Sequence, residues 1–388
     1  MTRNTPLKLA FVDPGLRKAP FFLELRTHLE PHARCVYYSR RTIVRGFVRS
    51  GGAPLFPNLW KRDGVFDISD EDLRKAIGEK QWATRGAKQM PRARRLLHSL
   101  ASFFEAEAIE AAMVWNGSNL IVSLAVYLAR QRGLPVIFAE HGYFPGTLQL
   151  DSCGVNFDAS LTPLAMRGAA VLPPDTAIDQ ALDREIDAYR QGRPMRASNA
   201  SVPPHLRRDL RSFIHREIDR RIKPWFRRKF PGIGADNATL PERFVFLPFQ
   251  VRKDSQLIVH SPLVGNDMAG LLELLHAALA QVDPQMRIVV KFHPRENPKV
   301  LARYVELMRQ YPDVLFIRRQ RLGELLEKAA AVVTVNSTVG FEAFLYDKPV
   351  VTLGRNFYTA PGLVETVQQI EHLPEALRRA LSEPVDRE

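Results

Sequence analysis

The segment from Ala331 to Gly354 constrains the fold of this chain more than any other stretch of the sequence. Its apolar run 331–335 predicts a buried strand, a turn follows at 336–340, and residues 341–345 have the pattern of a helix. The run 348–354 then leads into a second buried strand. A strand, a helix and a parallel strand form the βαβ unit of doubly wound sheets, which bind ligands at the carboxyl ends of their strands. The sequence therefore predicts an α/β domain with a ligand site at this turn.

The predicted turn has the features of an anion site. Amide groups at a helix start lack partners, and the helix dipole places positive potential there, which suits a phosphate. The hydroxyls of Ser337 and Thr338 point to the same place. Asn336 and Gly340 complete the turn, and Glu342 on the following helix is a candidate acceptor for ribose hydroxyls or else a solvated carboxylate.

A second group of polar residues follows the predicted strand 287–292. His293 can donate to a phosphate oxygen, Pro294 fixes the turn, and Lys291 and Arg295 add positive charge. A His-Pro pair alone is more typical of a structural turn than of a binding site. Together with the Ser-Thr turn in the same domain, it favours an anion site. Gln250 and Ser255, which follow the strand 244–249, are weaker candidates for the same site.

The first half of the chain also places polar residues after predicted strands. Glu140 and His141 follow the strand 135–138 and are both plausible general bases, and Gly142 permits a sharp turn and close approach of a ligand. Glu140 is also typical of a local cap. Asn116 follows the strand 112–115, where it either orients the base or an acceptor or forms a plain turn.

The order of the predicted elements indicates two domains. Strands and helices alternate from residue 8 to about 138, and a second series runs from 244 to 353. Between them, prolines and glycines interrupt the rhythm. The prediction is a Rossmann-like domain at 1–200, a basic linker at 201–240 and a second Rossmann-like domain at 241–388, with parallel sheets facing a central cleft.

Composition narrows the class of partner. The 388 residues are 45% hydrophobic and carry a formal net charge of +13, which favours anionic ligands, a bilayer surface or nucleic acid. Cys35 and Cys153 match neither a disulfide scaffold nor a zinc pattern. No secretory core and no run of about 18 to 20 apolar residues is present, so a cytoplasmic protein is expected.

The positive charge is concentrated between Arg207 and Lys229. This segment contains ten Lys or Arg and three acidic residues, and its apolar residues recur at helical spacing. Such a basic amphipathic helix either lies on an anionic membrane with Trp225 and Phe226 as anchors, or packs between domains. Aromatic residues do not interleave with the basic ones, which disfavours nucleic acid.

Asp70 and Asp72 are the only close acidic pair of metal type, and their pattern is typical of a helix first turn, so no metal is expected. The absence of a Gly-Lys-Ser phosphate loop and of a Gly-rich dinucleotide fingerprint disfavours nucleotide hydrolysis and hydride transfer.

In combination, the polar segments that follow the predicted strands resemble the motifs of the bacterial capsule polysaccharide biosynthesis and export family. Its members are β-Kdo transferases of GT-B type that use CMP-Kdo. The resemblance covers about residues 110 to 360. The matching segments are 115–117, 140–143, 147–151, 154–156, 249–256, 291–295, 336–343, 348–350 and 353–354.

The resemblance implies an inverting transfer of Kdo to a lipid or glycan acceptor, with no cofactor and no metal. Glu140 matches the family's acidic base, but His141 stands where members often carry Asp or Asn, so which neighbour takes the proton stays open. His293 and the turn at Ser337 and Thr338 would hold the CMP phosphate. The block 11–15 only loosely matches the family's Gly-Pro opening.

The resemblance also implies where the protein works. Initiating members build a short Kdo linker on a lysophospholipid, so the expected location is peripheral on the inner membrane, with capsule assembly proteins as candidate partners. Alternatives are transfer from another CMP-sugar, transfer to a lipopolysaccharide glycan, or a non-catalytic role in export.

Overall fold

The computed structural model of the chain describes residues 5–16, 18–30, 32–56, 66–143, 147–167, 176–193, 234–252, 254–293, 296 and 298–382. The predicted basic helix from Arg207 to Lys229 lies outside the described residues, as do Pro294, Arg295 and the side chain of Ser255. The described residues divide into two compact units. The first comprises residues up to 160, and the second comprises 161–193 together with 234–382.

The first unit is built on a sheet in the order β2-β1-β3-β4-β5. Its strands are β1 (Leu7–Val12), β2 (Ala33–Tyr38), β3 (Ala111–Trp115), β4 (Val136–His141) and β5 (Leu148–Asp151). The first four pair in parallel, whereas β5 runs antiparallel to β4. The predicted parallel sheet is thus confirmed apart from this edge, where β5 pairs antiparallel with β4.

Helices cover both faces of this sheet. They are α1 (Ala19–Leu29), α2 (Thr42–Ser50), α3 (Asp70–Ile77), α4 (Glu79–Arg85), α5 (Met90–Ala106) and α6 (Leu120–Gln131). One apolar core joins the sheet to α1 and α2 around Phe11 and Phe22, and another joins it to α3, α5 and α6 around Val114 and Phe138. Strands buried on both faces explain the continuous apolar runs of the sequence.

The second unit has a parallel sheet in the order β12-β11-β10-β7-β8-β9-β6. Its strands are β6 (Ala235–Asp236), β7 (Phe244–Pro248), β8 (Arg287–Lys291), β9 (Leu315–Arg319), β10 (Ala331–Thr334), β11 (Val350–Thr352) and β12 (Glu365–Thr366). Its helices are α7 (Thr162–Met166), α8 (Thr176–Arg190), α9 (Ser255–Val259), α10 (Met268–Val282), α11 (Pro298–Gln310), α12 (Leu322–Lys328), α13 (Thr338–Phe344) and α14 (Leu373–Ser382).

Helix α8 belongs to the second unit, although the sequence places it before residue 200 in the first domain. The reason is contact with the end of α13. The hydroxyl of Tyr189, which is 8% exposed, donates to Glu342, and the guanidinium of Arg190 donates to the carbonyl of Leu345 at 2.5 Å. A domain boundary predicted from the order of elements along the chain does not reveal that α8 packs against the later unit.

The predicted fold class, α/β with two Rossmann-like domains, is confirmed unit by unit, while the cleft between them stays a prediction. Helix α3 begins at Asp70 as expected, with the hydroxyl of Ser69 accepting from the amide of Asp72 at 3.0 Å. Within the described residues, no helix combines the length and the apolarity needed to cross a bilayer.

Candidate functional site

Glu140 lies at the carboxyl end of β4, where hydrogen bonds hold both of its carboxylate oxygens. The indole of Trp115 donates to Oε1 at 3.1 Å, and the side-chain amide of Asn116 donates to Oε2 at 2.6 Å. The backbone amide of His141 also donates to Oε1, at 2.9 Å. These donors fix the orientation of a half-buried carboxylate at the ligand-binding edge of the sheet. Of the roles that the sequence left open for Asn116, this geometry supports orienting the base.

The backbone after β3 makes the contact between Asn116 and Glu140 possible. Asn116 and Gly117 both adopt positive φ, at 64° and 80°. A Cβ on Gly117 would lie 2.9 Å from the ring of Phe138. Glycine is therefore required here both for the left-handed conformation and for the close approach to β4.

His141 contacts a residue that the sequence reasoning missed. The ammonium of Lys18 lies against Nε2 of His141 and sits 4.0 Å from the ring centroid of Trp115. Because an ammonium only donates, Nε2 is the accepting nitrogen, and the ring proton is assigned to Nδ1. Lys18 directly precedes α1, in the loop that follows β1, and the sequence carries no motif that would have identified it.

Glu140 and His141 point to opposite sides of the sheet. Successive side chains of a strand alternate between faces. Phe138, two residues before Glu140, belongs to the core under α3, α5 and α6, whereas Ala139, two residues before His141, belongs to the core under α1 and α2. Beyond the strand end the two residues nevertheless share a neighbour, because the indole of Trp115 donates to Glu140 and its ring centroid lies 5.0 Å from that of His141.

Gly142 closes the turn between β4 and β5. Its amide donates to the carbonyl of Thr147 at 2.9 Å, and a Cβ at this position would lie 2.0 Å from the hydroxyl oxygen of Thr147. The close approach of Thr147 therefore requires glycine at position 142, and the role of Gly142 toward a ligand stays a prediction.

Asp151 ends β5 and caps the loop that follows. Its oxygens accept from the amides of Cys153 and Ser160 at 2.7 and 2.9 Å and from the Ser160 hydroxyl at 2.7 Å. Burial alone raises the pKa of Asp151, but the hydrogen bonds from Ser160, Cys153 and Gly154 outweigh it and lower the pKa below its ordinary value.

We expect Asp151→Asn to destabilise the protein at pH 7 by about 1 kcal/mol, a modest value because the loop is largely exposed. A folded-state pKa below the unfolded value of 3.8 means that the carboxylate stabilises the fold above pH 3.8 and loses this contribution as the pH falls through the folded pKa. The difference from wild type in urea unfolding should therefore shrink toward pH 3. The exposed Asp67→Asn is the control, and an equal difference at both pH values would contradict the assignment.

At the carboxyl edge of the second sheet, Gln250 and Asn336 form a buried network. Gln250 donates through Nε2 to Oδ1 of Asn336 at 2.9 Å and accepts from the Asn336 amide at 3.2 Å. The side-chain amide of Asn336 donates to the carbonyls of Gln256 and His260, at 2.8 and 3.4 Å. Gln250 and Asn336 are 7% and 6% exposed. These hydrogen bonds hold the loops at this edge in place. The buried polar atoms of Gln250 and Asn336 therefore stabilise the fold.

Ser337 caps α13 as the sequence predicts. Its hydroxyl accepts from the amide of Val339 at 3.2 Å, and Thr338 begins the helix. The carbonyl of Ser337 accepts from the hydroxyl of buried Tyr358 at 2.5 Å. A Cβ on Gly340 would lie 2.4 Å from that same hydroxyl oxygen, so Gly340 is required for the contact. Tyr358 is a further positioning residue that the sequence reasoning missed.

Glu342 and Lys291 have protein partners. The Tyr189 hydroxyl donates to Glu342, and burial, followed by the charge of Glu342, raises the pKa of Tyr189 and keeps it a donor. Lys291 donates to the carbonyl of Gln320 at 2.8 Å. Burial lowers the pKa of Lys291, and the carboxylate of Glu342 partly offsets this. Glu342 is not a solvated helix carboxylate, and its role toward ribose stays a prediction.

His293 lies half-buried just beyond β8, and its carbonyl accepts from the amide of Glu296 at 3.0 Å. Strands β10, β7 and β8 are neighbours in the sheet. Their carboxyl ends therefore bring Ser337, Gln250 and His293 to one edge, as the sequence predicts. Across the described ranges, no three His, Cys, Asp or Glu side chains group as metal ligands would.

The sequence of this chain is similar to one protein family and to several known proteins. The sequence profile of a family described as capsule polysaccharide biosynthesis protein matches residues 110–381. Protein FixF of Sinorhizobium fredii is 32% identical over 252 residues, which are 65% of this chain and 50% of FixF. The capsule polysaccharide modification protein LipB of Neisseria meningitidis serogroup A is 23% identical over 293 residues, or 69% of this chain and 68% of LipB.

Among solved structures, the chain is similar to the KpsC β-Kdo 2,4 transferase of Thermosulfurimonas dismutans. The identity is 22%, the match covers 74% of this chain and 88% of that chain, and the TM-score is 0.46. The chain spans about half the length of FixF.

Proposed function

The chain belongs to the capsule polysaccharide biosynthesis protein family, and on that premise we propose that it is an inverting glycosyltransferase that transfers Kdo from CMP-Kdo to a lipid or glycan acceptor. Kdo as the sugar and CMP as its carrier follow from the resemblance of the strand-end motifs. The similarity to a capsule polysaccharide modification protein supports a capsular product.

The observation that carries the proposal is the carboxylate of Glu140, fixed by Trp115 and Asn116 at the carboxyl end of a parallel strand. A general base has to lie within hydrogen-bonding reach of the proton that it removes, and its orientation has to be set beforehand. We assign the base to Glu140 rather than His141 because the Nε2 of His141 is occupied by Lys18.

In the proposed reaction, Glu140 takes the proton of an acceptor hydroxyl as that oxygen attacks the anomeric carbon of Kdo. The bond from this carbon to the phosphate oxygen breaks, and CMP leaves with the electron pair. Attack opposite the leaving group inverts the anomeric configuration. Glu140 keeps the proton until the products dissociate.

The second unit has the groups to bind the donor. His293 and the turn at Ser337 and Thr338 follow neighbouring strands of its sheet, at the edge where such sheets bind nucleotides. Hydrogen-bond donors at this edge stabilise the charge that develops on the departing CMP. A protein that stabilises this charge with its own donors needs no metal, so we propose metal-independent transfer.

Incubation of the pure protein with CMP-Kdo and a panel of acceptors, with mass detection of products, tests the proposal. The panel contains lysophosphatidylglycerol, capsular oligosaccharides and a lipopolysaccharide glycan, and CMP-sialic acid serves as the competing donor. We expect Kdo transfer to at least one acceptor, with turnover unchanged by a chelator. Transfer only from another CMP-sugar, or binding without any turnover, would overturn the assignment.

We further propose that the protein works at the anionic inner-membrane surface, because the segment from Arg207 to Lys229 is strongly basic and amphipathic in sequence. Co-sedimentation with phosphatidylglycerol liposomes at low salt is expected, and it should weaken as salt screens the attraction. Equal sedimentation with neutral liposomes would contradict an electrostatic contact.

A further inference from the structure

A cavity of about 510 Å³ in the first unit is lined by five arginines and one aspartate. Arg40 and Arg41 follow β2, Arg85 ends α4, and Arg92 and Arg95 lie on α5. We call it the arginine cavity. An adjoining cavity of about 560 Å³ shares Arg85 and Arg92 with it and adds Lys88 and Trp82.

Like charges that line one space repel one another, and an anion bound there would offset this repulsion. Burial lowers the pKa of Arg40, and the like charges of Arg92 and Arg95 add to this. Asp13, which is 3% exposed, lies 3.5 Å from Arg41 and accepts from Ser39 at 2.8 Å. The lining therefore combines five arginines with one carboxylate, and this excess of positive over negative groups favours an anionic ligand.

The arginine cavity lies at the same edge of the sheet as Glu140. Asp13 and Asn119, which line it, follow β1 and β3, and β3 is the neighbour of β4. The side chain of Glu140 leaves β4 on the same face as Phe138, which packs in the core with α5, the helix that carries Arg92 and Arg95. Strands are spaced about 4.8 Å apart, so the end of β1 and the end of β4 lie about 10 Å apart. A saccharide of two or three units can span this distance.

We propose that the arginine cavity binds the acidic end of a polyanionic saccharide acceptor, through carboxylate or phosphate groups, and presents a hydroxyl of that acceptor to Glu140. This inference rests on the proposed function. Two adjoining cavities accommodate a chain rather than a single anion, and planar guanidinium groups match carboxylate and phosphate geometry. Eight of the ten residues that line the arginine cavity are polar or charged, and five of them are cationic, which favours an anionic group as the ligand.

Titration calorimetry of the full chain with tetragalacturonate at low salt tests the inference. The variant combines Arg92→Gln with Arg95→Gln, two exposed positions of α5, so that folding is preserved. We expect its affinity for the probe to fall about tenfold or more, since charge-assisted hydrogen bonds are lost. The control combines Arg34→Gln with Arg49→Gln, exposed arginines of the same unit that do not line the cavity, and it should bind as wild type does.

Neutral maltotetraose should bind neither protein. Unchanged affinity for tetragalacturonate in the Arg92 and Arg95 variant would overturn the inference, and so would a loss confined to lysophosphatidylglycerol micelles. CMP titrated in parallel separates the two proposals. Absence of CMP binding and of Kdo transfer contradicts the proposed function, whereas retained transfer with an unchanged acceptor KM in the variant contradicts only the role of the arginine cavity.

Discussion

Replacement of Glu140 by Gln is expected to lower kcat for Kdo transfer by a factor of about 10² to 10⁴, the usual contribution of a general base. The amide has the same size but cannot take the proton of the acceptor hydroxyl. Binding of CMP, measured by calorimetry, should stay within twofold of wild type, because the residues proposed to hold CMP belong to the other unit.

The fold should tolerate this change. The Gln side chain keeps one acceptor oxygen for the indole of Trp115, and the amide of Asn116 can rotate to accept from the new NH₂ group. The matched control is Glu105→Gln, an exposed carboxylate paired with Arg132 on the surface. Full turnover in Glu140→Gln, together with its loss in His141→Gln, would transfer the role of base to His141.

Replacement of Asn336 by Leu is expected to destabilise the second unit by about 3 kcal/mol or more, because a buried hydrogen-bonding group left unpaired costs about 1 to 3 kcal/mol. The change leaves Nε2 of Gln250 and the carbonyls of Gln256 and His260 without their partner. For a unit of this size, the melting temperature should fall by about 6 to 12 °C.

CMP binding reports on the same network. Asn336 precedes the capping residue Ser337, so a displaced loop should weaken CMP affinity in Asn336→Leu. Asn266→Leu is the control, at an exposed asparagine whose side-chain amide donates to the carbonyl of Arg252 at 3.3 Å, and it should change stability by less than about 0.5 kcal/mol. A wild-type melting temperature in Asn336→Leu would show that the network contributes little.

The strands of both sheets could be predicted from sequence where they are buried on both faces. Residues 331–335, for example, were expected as a strand, and β10 runs over Ala331–Thr334 with every residue buried. The helix α12 (Leu322–Lys328) lies within the series of alternating strands and helices that was predicted from 244 to 353. By contrast, β2 (Ala33–Tyr38) was not predicted, because Arg34 interrupts an otherwise apolar run.

Only those residues of the candidate site that lie at or just after the ends of strands could be predicted from the sequence. Residues that follow strands, such as Glu140 and Ser337, lie at the carboxyl edges of parallel sheets, so the βαβ pattern alone identifies them. Lys18 and Tyr358 lie in loops without a motif, and the arginine cavity collects arginines from the segment after β2, from α4 and from α5. Their proximity depends on packing between elements distant in sequence.

The amino-acid sequence by itself determined that this protein forms two α/β units with polar strand ends, because hydrophobic periodicity and turn chemistry are local properties of the chain. Only the tertiary structure decided that Asn116 orients Glu140, that Lys18 contacts Nε2 of His141, and that α8 packs on the second unit through Tyr189. The physical reason is that hydrogen bonds and charge interactions depend on distances in space, and these distances are set by how strands and helices pack.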